Sequence, residues 1–131
     1  MASVFTRIIN GDLPGHVPYR DGLCFVLMSI NPISPGHCLV IPRTETDQWS
    51  DLEPDLAAHL MVVAQRVSRA LHTAFPCERV GLIIAGFEVP HCHLHVIPAN
   101  GMHDLDFARA ATHVDHDELA RHAESLAKLL S

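Results

Sequence analysis

Histidines at 91, 93 and 95 alternate with Cys92, Leu94 and Val96, and prolines at 90 and 98 bracket the run. A strand repeats every two residues, so this spacing predicts three imidazoles on one face and three apolar side chains turned the other way, into a core. Imidazoles titrate near neutrality and repel one another once protonated, so packing alone explains such a row poorly. His37 opens a second apolar run, His37-Cys38-Leu39-Val40-Ile41, directly after Pro35-Gly36. Four imidazoles on two strands of one sheet could converge, with two chemical uses. In the first, one neutral ring attacks phosphorus while others donate hydrogen bonds to the oxygens where charge develops. The middle ring, His93, has an imidazole neighbour on each side and is the natural nucleophile. It requires an acceptor for its other ring proton, a backbone carbonyl or a neighbouring side chain. In the second, the rings bind a metal, since zinc takes imidazole nitrogens and a catalytic site can hold three of them. No carboxylate or cysteine stands as an obvious fourth ligand, and the residues alone leave both uses open.

The elements that must position these rings follow from pattern. Val4 to Asn10, with Phe5, Ile8 and Ile9 apolar and Gly11 behind them, predicts a short helix with a glycine stop. Leu13-Pro14-Gly15 is a turn, and 17–20 a short strand. Asp21-Gly22 signals a hairpin into the strand Leu23 to Met28. Asn31 to Gly36 is a loop by its prolines and glycine, and the strand from His37 ends at Pro42. Pro54 opens a long helix with the stripe Leu56, Leu60, Val63, Val67, Ala70 and Leu71, and Pro76 ends it. Val80 to Ala85 is a continuous apolar run, expected to be a buried strand, and Gly86 to Pro90 a tight connection to the histidine strand. Residues 100–112 have no clear period. Asp115, with Glu118 three residues on, starts a last helix whose inward stripe is Leu119, Ala123, Leu126, Leu129 and Leu130. This order indicates an α+β fold, an antiparallel sheet with a long helix and terminal helices packed on one side of it.

A length of 131 residues suits a single domain, 1–131, and 48% apolar content is enough for a core. The net charge of −6 argues against a nucleic-acid binder but leaves room for a nucleotide ligand. No signal peptide is visible at the start, and no apolar run approaches the roughly 20 residues that span a bilayer. Cys24, Cys38, Cys77 and Cys92 are scattered beside apolar residues and read as free thiols of a reducing cytoplasm. The expectation is a cytoplasmic protein with no membrane or nucleic-acid partner. His16, His59, His72, His103, His113, His116 and His122 read as ordinary half-buried polar residues.

The run His91-Cys92-His93-Leu94-His95-Val96-Ile97 resembles the signature of the histidine triad (HIT) family. Residues 30–43, around His37, resemble the family's loop-and-strand segment, and residues 4–14 its N-terminal helix and following proline. Order and spacing agree over roughly 3–98. The resemblance implies a nucleotide hydrolase acting in two steps. His93 attacks the α-phosphate of a nucleotide conjugate, such as a phosphoramidate or dinucleoside polyphosphate, and water then releases a nucleoside monophosphate from the nucleotidyl-imidazole. It implies that His95 contacts phosphate oxygens, that His91 and His37 set protonation and orientation, and that two subunits join their sheets in a homodimer. His95, where transferase branches often have glutamine, favours the hydrolase branch. No cofactor is implied.

The departures concern substrate handling. Ser29 stands where many relatives have an aspartate for the ribose hydroxyls, and Ala85 where hydrolases have an asparagine. Glu88 lies near the usual Gln-Ser or Gln-Thr pair, where its carboxylate would repel phosphate. Some relatives carry a structural zinc beginning with Cys-x-x-Cys; Ser3, Thr6 and Glu45 occupy the corresponding positions, so no metal is expected. Phe5, Ile8 and Ile30 are candidate walls for a nucleobase, with Ser29, Glu88 and Val89 completing the expected nucleotide contacts. The departures also admit a nucleotide-binding module with little catalysis, and the imidazoles a metal-binding protein.

Overall fold

The computed structural model describes residues 1–131. Helix α1 spans Val4–Ile9, and a short strand β1, Tyr19–Arg20, runs into β2, Cys24–Met28, and β3, Cys38–Pro42. The long helix α2, Pro54–Ala74, follows, then β4, Arg79–Ile83, β5, Leu94–Ala99, and α3, His116–Leu130. The strands make one antiparallel sheet in the order β1-β2-β3-β5-β4. No helix is long and apolar enough to cross a membrane.

Period two divides the sheet into two faces. Cys24, Val26, Met28, Cys38, Val40, Leu94 and Val96 meet the stripe of α2 (Leu60, Val63, Val67, Leu71) and that of α3 (Leu119, Leu126, Leu130). On the opposite face Phe25, Leu27, Leu39 and Ile41 pack against Phe5 of α1. The helices therefore do not all lie on one side: α1, the shortest, covers the face from which the histidines project. Proline at the first turn of α2 costs no hydrogen bond there, and Asp115 caps α3 by accepting from the N–H groups of Asp117 and Glu118. Leu129 falls outside the α3 stripe and is exposed.

The Asp-Gly hairpin is tied to α2 through Asp21. One carboxylate oxygen accepts from the N–H groups of Leu23 and Cys24, at 2.7 and 2.9 Å. The other accepts from the Tyr19 hydroxyl at 2.7 Å and lies 2.8 Å from His59 Nε2. Burial alone would raise the Asp21 pKa, but these hydrogen bonds outweigh it and hold the carboxyl well below its ordinary range. Burial pushes the neighbouring Cys24 thiol up to about 12, and the hydrogen bonds of Asp21 make this corner a structural tie.

Two expectations change in ways that matter for the site. Residues 79–83 form an edge strand, half exposed, because β5 inserts between β3 and β4 and leaves β4 with one neighbour. Residues 84–93 are a ten-residue loop with no strand, and the ladder of β5 begins only at Leu94.

Candidate active site

His91 and His93 therefore precede the ladder, and only His95 lies within it, opposite Leu39 on one side and Ile83 on the other. All three rings nevertheless reach the α1 face. The ring of Phe5 stands edge-on to His91 and His93, with centroids 5.5 and 5.0 Å away, and His93 and His95 are 4.9 Å apart. Backbone pairing to β5 cannot place the first two, so hydrogen bonds do. The Cys92 N–H donates to the Thr46 carbonyl at 2.7 Å, and His91 is clamped through both ring nitrogens. Its Nε2–H donates to the Pro42 carbonyl at 2.7 Å, which leaves Nδ1 to accept from the Ser3 hydroxyl at 2.6 Å. Ser3 also caps α1, accepting the Thr6 N–H at 3.2 Å.

The protonation pattern is fixed by backbone groups, whose roles as donor or acceptor are invariant. His93 Nδ1 lies 2.7 Å from the His91 carbonyl, so Nδ1 carries the proton and Nε2 keeps a lone pair. His37 Nδ1 accepts the Ile33 N–H at 3.0 Å, so its Nε2 carries the proton and donates to His95 Nδ1 at 2.9 Å. His95 must then hold its own proton on Nε2, an atom that is buried and has no protein partner. A lone pair on one ring thus stands beside an N–H on the next, the arrangement for attack on an electrophile that carries an anionic oxygen.

His37 is aimed by a type II turn. Its N–H donates to the Ser34 carbonyl at 3.1 Å, with Pro35 and Gly36 at the corners and Gly36 at φ +94°. The Ser34 hydroxyl bonds the Pro98 carbonyl at 2.6 Å and fastens this loop to β5.

The rings open on a cavity of about 440 Å³. Phe5, Ile8, Ser29, Ile30, Glu88 and Val89, expected from the sequence to meet a nucleotide, all line it, together with His37, His93 and His95. His91 is fully buried and does not line it.

The HIT domain family model matches residues 10–102. The chain belongs to the HIT family. It is 31% identical over 138 aligned positions to the protein hit of Bacillus subtilis, covering 98% of this chain and 94% of that protein. The adenylylsulfatase HINT3 of Arabidopsis thaliana is 30% identical over 100 positions, 72% of this chain and 51% of that protein. Among solved structures, a zinc-bound histidine triad family protein from Mycobacterium smegmatis superposes with a TM-score of 0.80 at 30% identity, over 99% of this chain and 94% of that one. A Hit-like protein from Bartonella henselae gives 0.84 at 22% identity, over 98% and 96%, and supports the α+β fold.

Against the zinc pattern of some HIT proteins, the corner at α1 does not fit a metal. Ser3, Thr6 and Glu45 do gather around His91, but two are neutral hydroxyls, poor zinc ligands, and both nitrogens of His91 are already engaged. Hydrogen bonds from Thr6 and from the Ser3 N–H hold the Glu45 carboxyl below its usual range. A hydroxyl brace occupies the corner instead.

Several lining groups carried no sequence signal. Phe107 packs edge-on against His95, centroids 4.7 Å apart, and Ala110 lies beside it in the wall. Phe107 opens the second of two single 3₁₀ turns, Met102–Leu105 and Phe107–Arg109, in the aperiodic stretch, and Ala110 directly follows it. Bonds between Asn31 and the Ala111 carbonyl, and between Ala111 N–H and the Pro32 carbonyl, hold that stretch over this chain's own site. The carbonyl of Pro42 and the amide of Ile33 are backbone groups and no side-chain pattern could mark them. Ala85 is absent from the wall, and the Ser29 hydroxyl already accepts the Asn31 N–H at 3.1 Å.

Burial lowers the pKa of His37 to about 3, with the neighbouring His95 adding to it, and that of His95 to about 4, with His93 adding to it; burial also lowers His91. These rings are neutral at pH 7 in the folded state and titrate near 6.5 when unfolded. The unfolded chain therefore binds more protons below that pH, so stability rises with pH and is lost as pH falls through 6.5 toward 4. For His95 alone the loss amounts to about 3 kcal/mol. Urea midpoints should drop steadily from about pH 7 to 5; a flat profile over that range would contradict the buried neutral rings.

Proposed function

We propose that this HIT protein, as one domain over 1–131, is a nucleotide hydrolase that cleaves its substrate at the α-phosphate through a covalent nucleotidyl-His93. The observation that carries the reading is the Nδ1–H of His93 fixed on the His91 carbonyl. The Nε2 lone pair forms a bond to phosphorus while the bond to the leaving group breaks. The electron pair goes with the leaving atom, which takes a proton from solvent when it is an amine. The ring becomes a cation, and its hydrogen bond to the carbonyl strengthens as that charge develops. His95 Nε2–H meets a phosphoryl oxygen, held to that task by His37. Water then attacks phosphorus, the N–P pair returns to Nε2, and a nucleoside monophosphate leaves with one proton given to solvent.

The proton relay also weighs against a metal on these rings. While the Ile33 amide holds His37 in its tautomer, His95 Nε2 carries hydrogen and has no lone pair for a cation. Relatives support the activity class: one is an adenylylsulfatase, and another from Arabidopsis thaliana, 33% identical over 67% of this chain, a bis(5'-adenosyl)-triphosphatase and adenylylsulfatase. The exposed edge of β4, with Leu82 facing out, supports a homodimer in which the two sheets continue. Four free thiols support a cytoplasmic setting.

The test is to mix the protein with an adenosine phosphoramidate, quench rapidly in alkaline denaturant, in which a phosphorus–imidazole bond survives, and map the peptides without acid. An adenylyl group on the peptide carrying His93 is the expected result. Nucleoside monophosphate binding with no adduct and no turnover would instead mark a binding module.

A further inference from the structure

The cavity is nearly free of charge. Its wall contains no lysine and no arginine, and Glu88 is its one acidic residue. Burial holds His37 and His95 neutral. Sites for polyphosphates or sulfate ordinarily offer arginine, lysine or a metal, because each added negative charge must be met where water is excluded. Here one phosphoryl group can be served by neutral N–H donors, and a second anionic group meets no counterion.

Glu88 adds a sign to this. One donor atom each from Glu88, His93 and His95 lies within 4.8 Å of the others, so the carboxylate stands next to the place of phosphoryl transfer. Its side chain is exposed, while α1 and residues 13–15 and 27–30 supply most of the apolar wall. A nucleoside seated on that wall with its phosphorus at His93 brings the bond to the leaving group within reach of Glu88. We infer that Glu88, in a wall without cations, makes the leaving-group end of this cavity a charge filter. It selects nucleotide conjugates whose leaving group is uncharged or cationic, such as an amine bearing an ammonium, and rejects sulfate, pyrophosphate and nucleoside polyphosphates. The inference rests on the hydrolase reading above and narrows its substrate class.

The experiment compares kcat/KM for the full chain and Glu88→Gln on four adenylyl conjugates: those of a diamine, of n-butylamine, of sulfate, and diadenosine triphosphate. For the native protein the diamine conjugate is expected to exceed both anionic conjugates by at least about 100-fold, consistent with one like and one opposite charge at short range in a medium between water and protein interior. In Glu88→Gln the diamine-to-sulfate ratio is expected to fall by about tenfold or more, and raising salt should compress the native ratio but barely move the variant's. Glu88 is exposed, so the substitution leaves the core intact. A ratio unchanged by the substitution, with the His93 adduct still formed, overturns the filter and leaves the hydrolase standing. Faster turnover of sulfate or triphosphate than of the diamine conjugate by the native protein also overturns it. No turnover and no adduct with any of the four overturns both readings.

Discussion

Replacing His93 with alanine is expected to lower kcat by at least about 10⁴-fold, the scale on which loss of a nucleophile is felt. The loss should not extend to the fold. The variant gives up a small buried ring and leaves the His91 carbonyl without its donor, a penalty of about 1–3 kcal/mol. His91 itself remains clamped between Ser3 and Pro42. Circular dichroism, a urea midpoint and calorimetric binding of nucleoside monophosphate should therefore stay near native while turnover and the trapped adduct disappear. Turnover near the native rate would remove His93 as nucleophile.

His37→Leu is the second large effect, and it separates two roles. Leucine approximates the volume but neither accepts the Ile33 N–H nor donates to His95. Without that donor His95 can move its proton to Nδ1, and the group facing the phosphoryl oxygen changes from a donor to a lone pair. Loss of one such donor costs about 10²–10³-fold in kcat. The same change exposes a second property. His95, His93 and Glu88 would then offer three donor atoms within 4.8 Å, a set that zinc takes readily. The variant is expected to bind one zinc per chain by calorimetry, with the native protein binding far more weakly. His37→Gln, whose amide can still donate to His95, should recover part of the rate and lose the zinc. Equal zinc binding by native protein and the leucine variant would show that the relay does not control the tautomer.

Much of this site was legible in the sequence because side chains carry it. The period of two put His91, His93 and His95 on one face, and Pro35-Gly36 before His37 foretold the close turn. The family resemblance extended this to roles and to the nucleotide wall, and every residue expected there lines the cavity. What escaped was carried by the backbone or by topology. Hydrophobicity in 80–85 reads the same for a central strand and for an edge that a second subunit could cover, and β4 is the edge. The strand ladder starts at Leu94 because Cys92 bonds Thr46 across the loop, a long-range pairing with no local signature. Phe107 lies in a stretch with no period, since single 3₁₀ turns are too short to show one. The apolar residues of α1 fix which side of the helix is buried and say nothing about which side of the sheet receives it.

The brace at the start of the chain bears on how such proteins can change. Ser3 is at once the cap of a helix and the partner of His91, and Glu45 and Thr6 complete the corner. Exchanging any one of these for a metal ligand removes a hydrogen bond before a full ligand set exists. A thiol at position 3 donates weakly, and a histidine at 45 no longer accepts the Ser3 amide as a carboxylate does. A chain that holds this corner with hydroxyls is therefore expected to reach a zinc-held corner only through sequences that have lost a hydrogen bond and hold no metal. The choice, once made, is expected to be retained as a block, with these positions inherited together while the rest of the first helix drifts.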